Sequence, residues 1–119
     1  MIRKDQQRAL DAFAWAQVAT EEGAIEGFET TVQTFAAALL RSGLAVAVSV
    51  LQRDERTGVG ARRLMGHLRA RFPRGTRGQS WPDAVRALDT PGYMLLTRDL
   101  VAFLTWLRRA CRAVQPRRP

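Results

Sequence analysis

Apolar residues recur at helical spacing along most of the chain. Between Ala9 and Ala19 only Asp11 and Gln17 are polar. A helix here is apolar nearly all round and needs cover on more than one side. Ile25, Phe28, Val32, Phe35 and Leu39 follow at spacings of three and four, which predicts a second helix. Ser42-Gly43 ends it, with Gly43 suited to a left-handed position after the last turn. Leu44, Val48 and Leu51 continue at helical spacing, but Val46, Val48 and Val50 also alternate as a strand would, so this segment fits both patterns. A fourth segment covers residues 58–72. There Ala61, Leu64, Met65, Leu68 and Phe72 fill an arc of about 100°, with Arg62 and Arg69 on one border and Arg63, His67 and Arg71 on the other.

Ser80-Trp81-Pro82-Asp83 reads as the start of a short fifth helix ending near Asp89, with Ser80 as cap and Pro82 in the first turn. Thr90-Pro91-Gly92-Tyr93 has the form of a turn. A last helix is then expected from a Thr97 cap, with Asp99 against the positive end of the helix dipole. Leu100, Leu104, Leu107, Cys111 and Val114 form its stripe, widened by Phe103, Trp106 and Ala110 to about 160°. Pro116 closes it, and residues 116–119 are expected to fray. Loops fall at residues 53–58, 73–79 and 89–92. The reading is all-α, a single small bundle of about six helices over residues 1–119, a length that suits one domain.

Charge changes the picture more than composition does. The chain carries 19 basic and 11 acidic residues, a net +8, and Lys4 is its only lysine. Residues 1–30 hold three basic and six acidic side chains, net −3; the remainder carries net +11. A basic body with an acidic front points to partner-facing surfaces and excludes an acidic chaperone or tail. A single Cys111 excludes an internal disulfide, and with His67 as the only histidine no ordinary zinc set is available. No cofactor or metal is implied. No apolar run reaches the roughly 18 residues of a membrane span. Asp5, Gln6, Gln7, Arg8 and Asp11 interrupt any signal-like core behind the basic start, so a cytoplasmic location without membrane contact is expected.

The order of these signals resembles the small helical subunit of the Cmr-type (type III-B) CRISPR RNA-guided effector complex. Three blocks carry the likeness: Gln7-Arg8-Ala9 with the Ala-rich helix up to Val18; FAAALLRSGLAVAVSVL, residues 35–51; and YMLLTRDLVAFLTWLRRACRA, residues 93–113. The third is the most specific, in its Tyr, Thr, Trp-Leu and Arg-Arg elements. The chain departs from the family pattern in using Arg for nearly every basic position. The resemblance implies a non-catalytic subunit in defence against foreign RNA, with no small-molecule substrate. Its partners would be other Cmr-type subunits, copies of itself stacked as a filament, and the guide and target RNA whose path it lines.

Arg62, Arg63, Arg69, Arg71, Arg74 and Arg77 place six guanidinium groups within sixteen residues, and Arg108, Arg109 and Arg112 form a second strip on the last helix. A guanidinium keeps its charge and forks onto phosphate oxygens, which suits sequence-independent contact with an RNA backbone. The same strips also suit a solvated face in an Arg-rich protein. Glu21, Glu22, Glu26 and Glu29 are candidates for meeting the Arg surface of a neighbouring subunit, or serve solubility alone. Stacking of bases on exposed aromatics is the weaker use, because most aromatic positions fall on core stripes. The alternative function is a stand-alone helix-turn-helix regulator, since LLRSGLAVAVSVL imitates that motif. Its second helix, however, offers base edges one hydroxyl, Ser49, between residues 45 and 50. Catalysis has little to work with. His67 lies one turn from Arg63 and from Arg71 with no carboxylate to orient it, and Cys111 occupies a core position.

Overall fold

The structure is a computed structural model, and it describes residues 3–73 and 78–114. Six helices follow one another: α1 (Lys4–Glu21), α2 (Ile25–Ser42), α3 (Leu44–Asp54), α4 (Val59–Arg71), α5 (Trp81–Arg86) and α6 (Thr90–Val114). Among the described residues there is no strand. The all-α bundle read from the apolar spacing is therefore the fold. α2 lies at its centre, packed against α3, α4 and α6, while α1 lies along α6 and α5 closes over α3.

The segment that fits both patterns is helical, and its burial shows why. Leu44, Ala47, Val48 and Leu51 face the core, a three-to-four repeat, whereas Val46 is exposed. Gly43 separates α2 from α3 with φ +91° and ψ 172°. The positive φ is the one expected, but ψ is extended and not left-handed helical, so the chain turns a corner into α3 directly. The phenolic oxygen of Tyr93 accepts the Ala45 amide proton at 2.8 Å, satisfying one of the free N–H groups in the first turn of α3 from another helix.

α6 begins earlier than the sequence predicts. Thr97 is not its cap: the Thr97 hydroxyl donates to the Tyr93 carbonyl at 2.8 Å inside the helix. Asp89 caps instead, its carboxylate accepting the Gly92 amide at 2.8 Å. Pro91 sits in the first turn, where a missing N–H leaves nothing unsatisfied. Pro-Gly thus serves a helix start here and not a turn, which leaves residues 90–96 as two further turns of α6. α5 starts as expected, with the Ser80 side chain accepting from the Asp83 amide at 3.2 Å.

The core is continuous, and among the described residues no polar or charged residue is buried in it. Phe28, Phe35, Phe103 and Trp81 are its largest members. Trp81 also donates its indole N–H to the Phe72 carbonyl at 2.8 Å, tying α5 to the end of α4. Where α1, α4 and α6 meet, Trp15 stacks on His67 (centroids 4.6 Å apart, planes at 15°) and meets Phe103 edge-on at 4.6 Å. None of the helices built from described residues is long and apolar enough to cross a membrane.

Candidate nucleic-acid interface

Helical spacing divides the α4 arginines into two sets. Arg62 and Arg69, seven residues apart, share an exposed face. Arg62 donates to the Glu55 carbonyl at 3.2 Å, and neither side chain forms an ion pair among the described residues. Arg63 and Arg71 point the other way, toward α1. Arg63 pairs with Glu22 at the end of α1, and Arg71 pairs with Asp11 in its middle. The Arg71 guanidinium also lies 4.5 Å from the Phe103 ring centroid. These two arginines hold α4 onto α1. Arg74 and Arg77 lie outside the described residues.

The α6 arginines are arranged differently. Arg108, Arg109 and Arg112 are all exposed and, with Thr105, line a shallow open depression of about 180 Å³. Arg109 also rests over the half-buried Trp106, 5.2 Å from its ring centroid. Arg98 belongs to the same surface. It is exposed and stands seven residues before Thr105, which stands seven before Arg112. The strip runs from Arg98 to Arg112, about 21 Å at 1.5 Å per residue. None of its four arginines forms an ion pair among the described residues. Sequence reading misses Arg98 because a cap at Thr97 confines it to the first turn. The heptad 98–105–112 is the signal that could have found it.

The acidic residues gather at the corner between α1 and α2. Glu21 ends α1, Glu22 follows it, and Glu26 and Glu29 stand on the first turns of α2. Gly23, at φ +69°, makes the turn that brings the four to one end of the bundle. Glu22 is engaged with Arg63, and the Glu29 carboxylate accepts from the Gln33 amide at 3.1 Å.

His67 and Cys111 both sit among apolar and aromatic side chains. Burial between Trp15 and Phe28, then the nearby Arg63 charge, hold the His67 pKa below its ordinary value of 6.5, while Glu22 acts weakly the other way. Its Nε2 is buried without a hydrogen-bond partner among the described residues. Burial first, and the charge of Glu29 second, push the Cys111 thiol up to about 12, so it stays protonated. Among the described residues no three His, Cys, Asp or Glu side chains gather into a metal-binding group. The helix-turn-helix comparison also meets an obstacle. Arg86 of α5 donates to Ser49 at 3.1 Å and Gln52 at 2.8 Å, so the polar side of α3 is occupied from within.

No match was found among curated proteins or among solved structures. A family model does match, over residues 4–114, and its description is CRISPR-associated protein (Cas_Cmr5). That span runs from the first residue of α1 to the last of α6. With six helices in the order its motifs imply, and a family model covering all of them, the chain belongs to the CRISPR-associated Cas_Cmr5 family, the Cmr-type small subunits that its sequence resembles.

Proposed function

We propose that this chain is a non-catalytic small subunit of a Cmr-type ribonucleoprotein, and that the exposed strip Arg98, Arg108, Arg109 and Arg112 on α6 runs beside the backbone of guide or target RNA. The observation that carries this reading is the absence of ion pairs from that strip among the described residues. Five other arginines, Arg8, Arg53, Arg63, Arg71 and Arg86, do hold carboxylates. Four unpaired cations on one helix face repel one another and gain most from a polyanion laid along them. Arg62 and Arg69 on α4 extend the basic surface. Arg63 and Arg71 contribute charge at longer range only, because their guanidinium groups are already engaged. Copies of the subunit stack head to tail, the acidic corner at Glu21, Glu26 and Glu29 facing the Arg surface of the next copy.

The test is binding of single-stranded RNA of arbitrary sequence at a series of salt concentrations, comparing the wild-type chain with Arg98→Gln/Arg108→Gln/Arg109→Gln/Arg112→Gln. Each phosphate contact contributes about 0.7 to the slope of log affinity against log salt, so losing four should flatten it by about 3. An unchanged slope would reject the strip as an RNA path. The regulator reading expects instead a preference for one duplex DNA sequence, which the same titration run with a library of DNA duplexes detects.

A further inference from the structure

Among the described residues nothing covers the outward face of α1. Leu10 is 59 % exposed and Phe13 40 %, and with Gln6 and Ala9 they border an open, almost wholly apolar hollow. The exposed positions of this helix recur at the alternating three and four of a heptad: Gln6, Leu10, Phe13 and Gln17, flanked by Ala14 and Val18. None of these is charged, on a chain of net +8. The face does end in charges, however, and they are opposite. Arg3 stands just before its first turn and Glu21 at its last, both exposed.

We infer that this face is a two-fold docking surface for a second copy of the same chain, α1 lying antiparallel on α1. The argument is the self-complementarity of the pattern. Place a two-fold axis across α1 between Asp11 and Ala12. Leu10 of one copy then lies opposite Phe13 of the other, Ala9 opposite Ala14, and Gln6 opposite Gln17. In the same register Arg3 comes within one residue of Glu21 of the other copy, at both ends of a contact about 27 Å long. Large side chains meet large, small meet small, the amides can exchange hydrogen bonds, and unlike charges close the ends. A parallel arrangement would instead set Arg3 against Arg3 and Glu21 against Glu21. The three-four spacing favours a crossing near 20°, which keeps the two helices in contact along their length.

A pair of single helices covers less than the ~800 Å² per partner of a standard interface, so the dimer is reversible and of micromolar strength or weaker. A two-fold contact closes on itself and cannot propagate. It is therefore distinct from head-to-tail stacking and belongs to the free subunit, and it does not depend on RNA binding by α6.

Sedimentation equilibrium of the full chain over a wide concentration range tests this. The expected result is a monomer–dimer equilibrium that Leu10→Lys/Phe13→Lys weakens by about tenfold or more, since each lysine would be buried twice in the symmetric contact. Circular dichroism of that variant should be unchanged, because both positions are exposed. The register has a sharper test. Arg3→Glu alone and Glu21→Arg alone should each dimerise less than the wild type, whereas an equimolar mixture of the two should form the mixed dimer. A chain that stays monomeric throughout, or a dimer indifferent to Leu10 and Phe13, overturns the proposal. Failure of the mixture to pair overturns the antiparallel register.

Discussion

His67 takes its surroundings from other helices as well as from its sequence neighbours. Arg63 and Arg71, one turn away on each side, are legible in the sequence; Trp15 stacked on the ring and Phe28 against its edge are not, since both come from other helices. Burial and the Arg63 charge favour neutral imidazole in the folded chain. The unfolded chain binds a proton near pH 6.5, so this contribution to stability is complete above that value and falls away as pH drops toward the lower folded pKa. Urea unfolding should show stability decreasing as pH falls below about 6.5, and His67→Phe, which keeps an aromatic ring against Trp15, should flatten that limb. An equally steep limb in the variant would assign the loss to other groups. Tyr93 shows a different limit. Its spacing from the α6 stripe is visible, but its bond to the Ala45 amide, 48 residues away, is not.

At the scale of elements, apolar spacing located four helices, the Ser80 cap signal located α5, and contacts decided both the helical state of α3 and the helix ends. Pro91-Gly92 suits a turn and a helix start equally, and the Asp89 carboxylate on the Gly92 amide selects the second. Helix contacts also decide what each glycine does. A Cβ on Gly60 of α4 would lie 2.6 Å from the Thr31 hydroxyl and 2.8 Å from the Gly27 carbonyl of α2, so this glycine permits the close approach of two helices. A Cβ on Gly66, two turns along α4, meets nothing within 4 Å. Gly60→Ala should therefore destabilise the fold by about 1–3 kcal/mol, since backbone cannot yield as a side chain can. Gly66→Ala should stabilise it by about 0.5–1 kcal/mol through helix propensity alone. Denaturant midpoints of the two variants moving the same way would contradict this packing of α4 on α2.

Over the whole molecule, charge is segregated by the fold as well as by the sequence. Four of the six acidic residues in 1–30 gather at the α1–α2 turn, while the α6 strip lies on a separate helix. If stacked copies join this corner to another Arg surface of the next copy, Glu21→Gln/Glu22→Gln/Glu26→Gln/Glu29→Gln should weaken assembly into the complex several-fold, and more at low salt than at high. Folding should change little, because the Glu22–Arg63 pair is half exposed on the glutamate side and such pairs contribute roughly 0–1 kcal/mol. Co-purification of the variant with its neighbours, scored against its own melting temperature, separates the two effects. Undiminished assembly would leave the corner to solubility.

What the sequence determined by itself is the class of fold and the inventory of chemistry. Apolar periodicity is a local property, and it needs no knowledge of neighbours to mark a helix stripe such as those of α2, α4 and α6. One histidine, one cysteine and eighteen arginines likewise restrict what the chain can do before it folds. Tertiary structure alone decided which arginines remain available. Arg62 and Arg63 are adjacent in sequence, yet one faces solvent and the other holds Glu22, because successive helical positions point about 100° apart and α1 occupies only one of those directions. Arg98 stands on the same face of α6 as Arg109 and Arg112 because α6 is capped at Asp89 and runs helically through Thr97. A cation's partner is fixed by what packs beside it, and that is a contact between residues far apart in the chain.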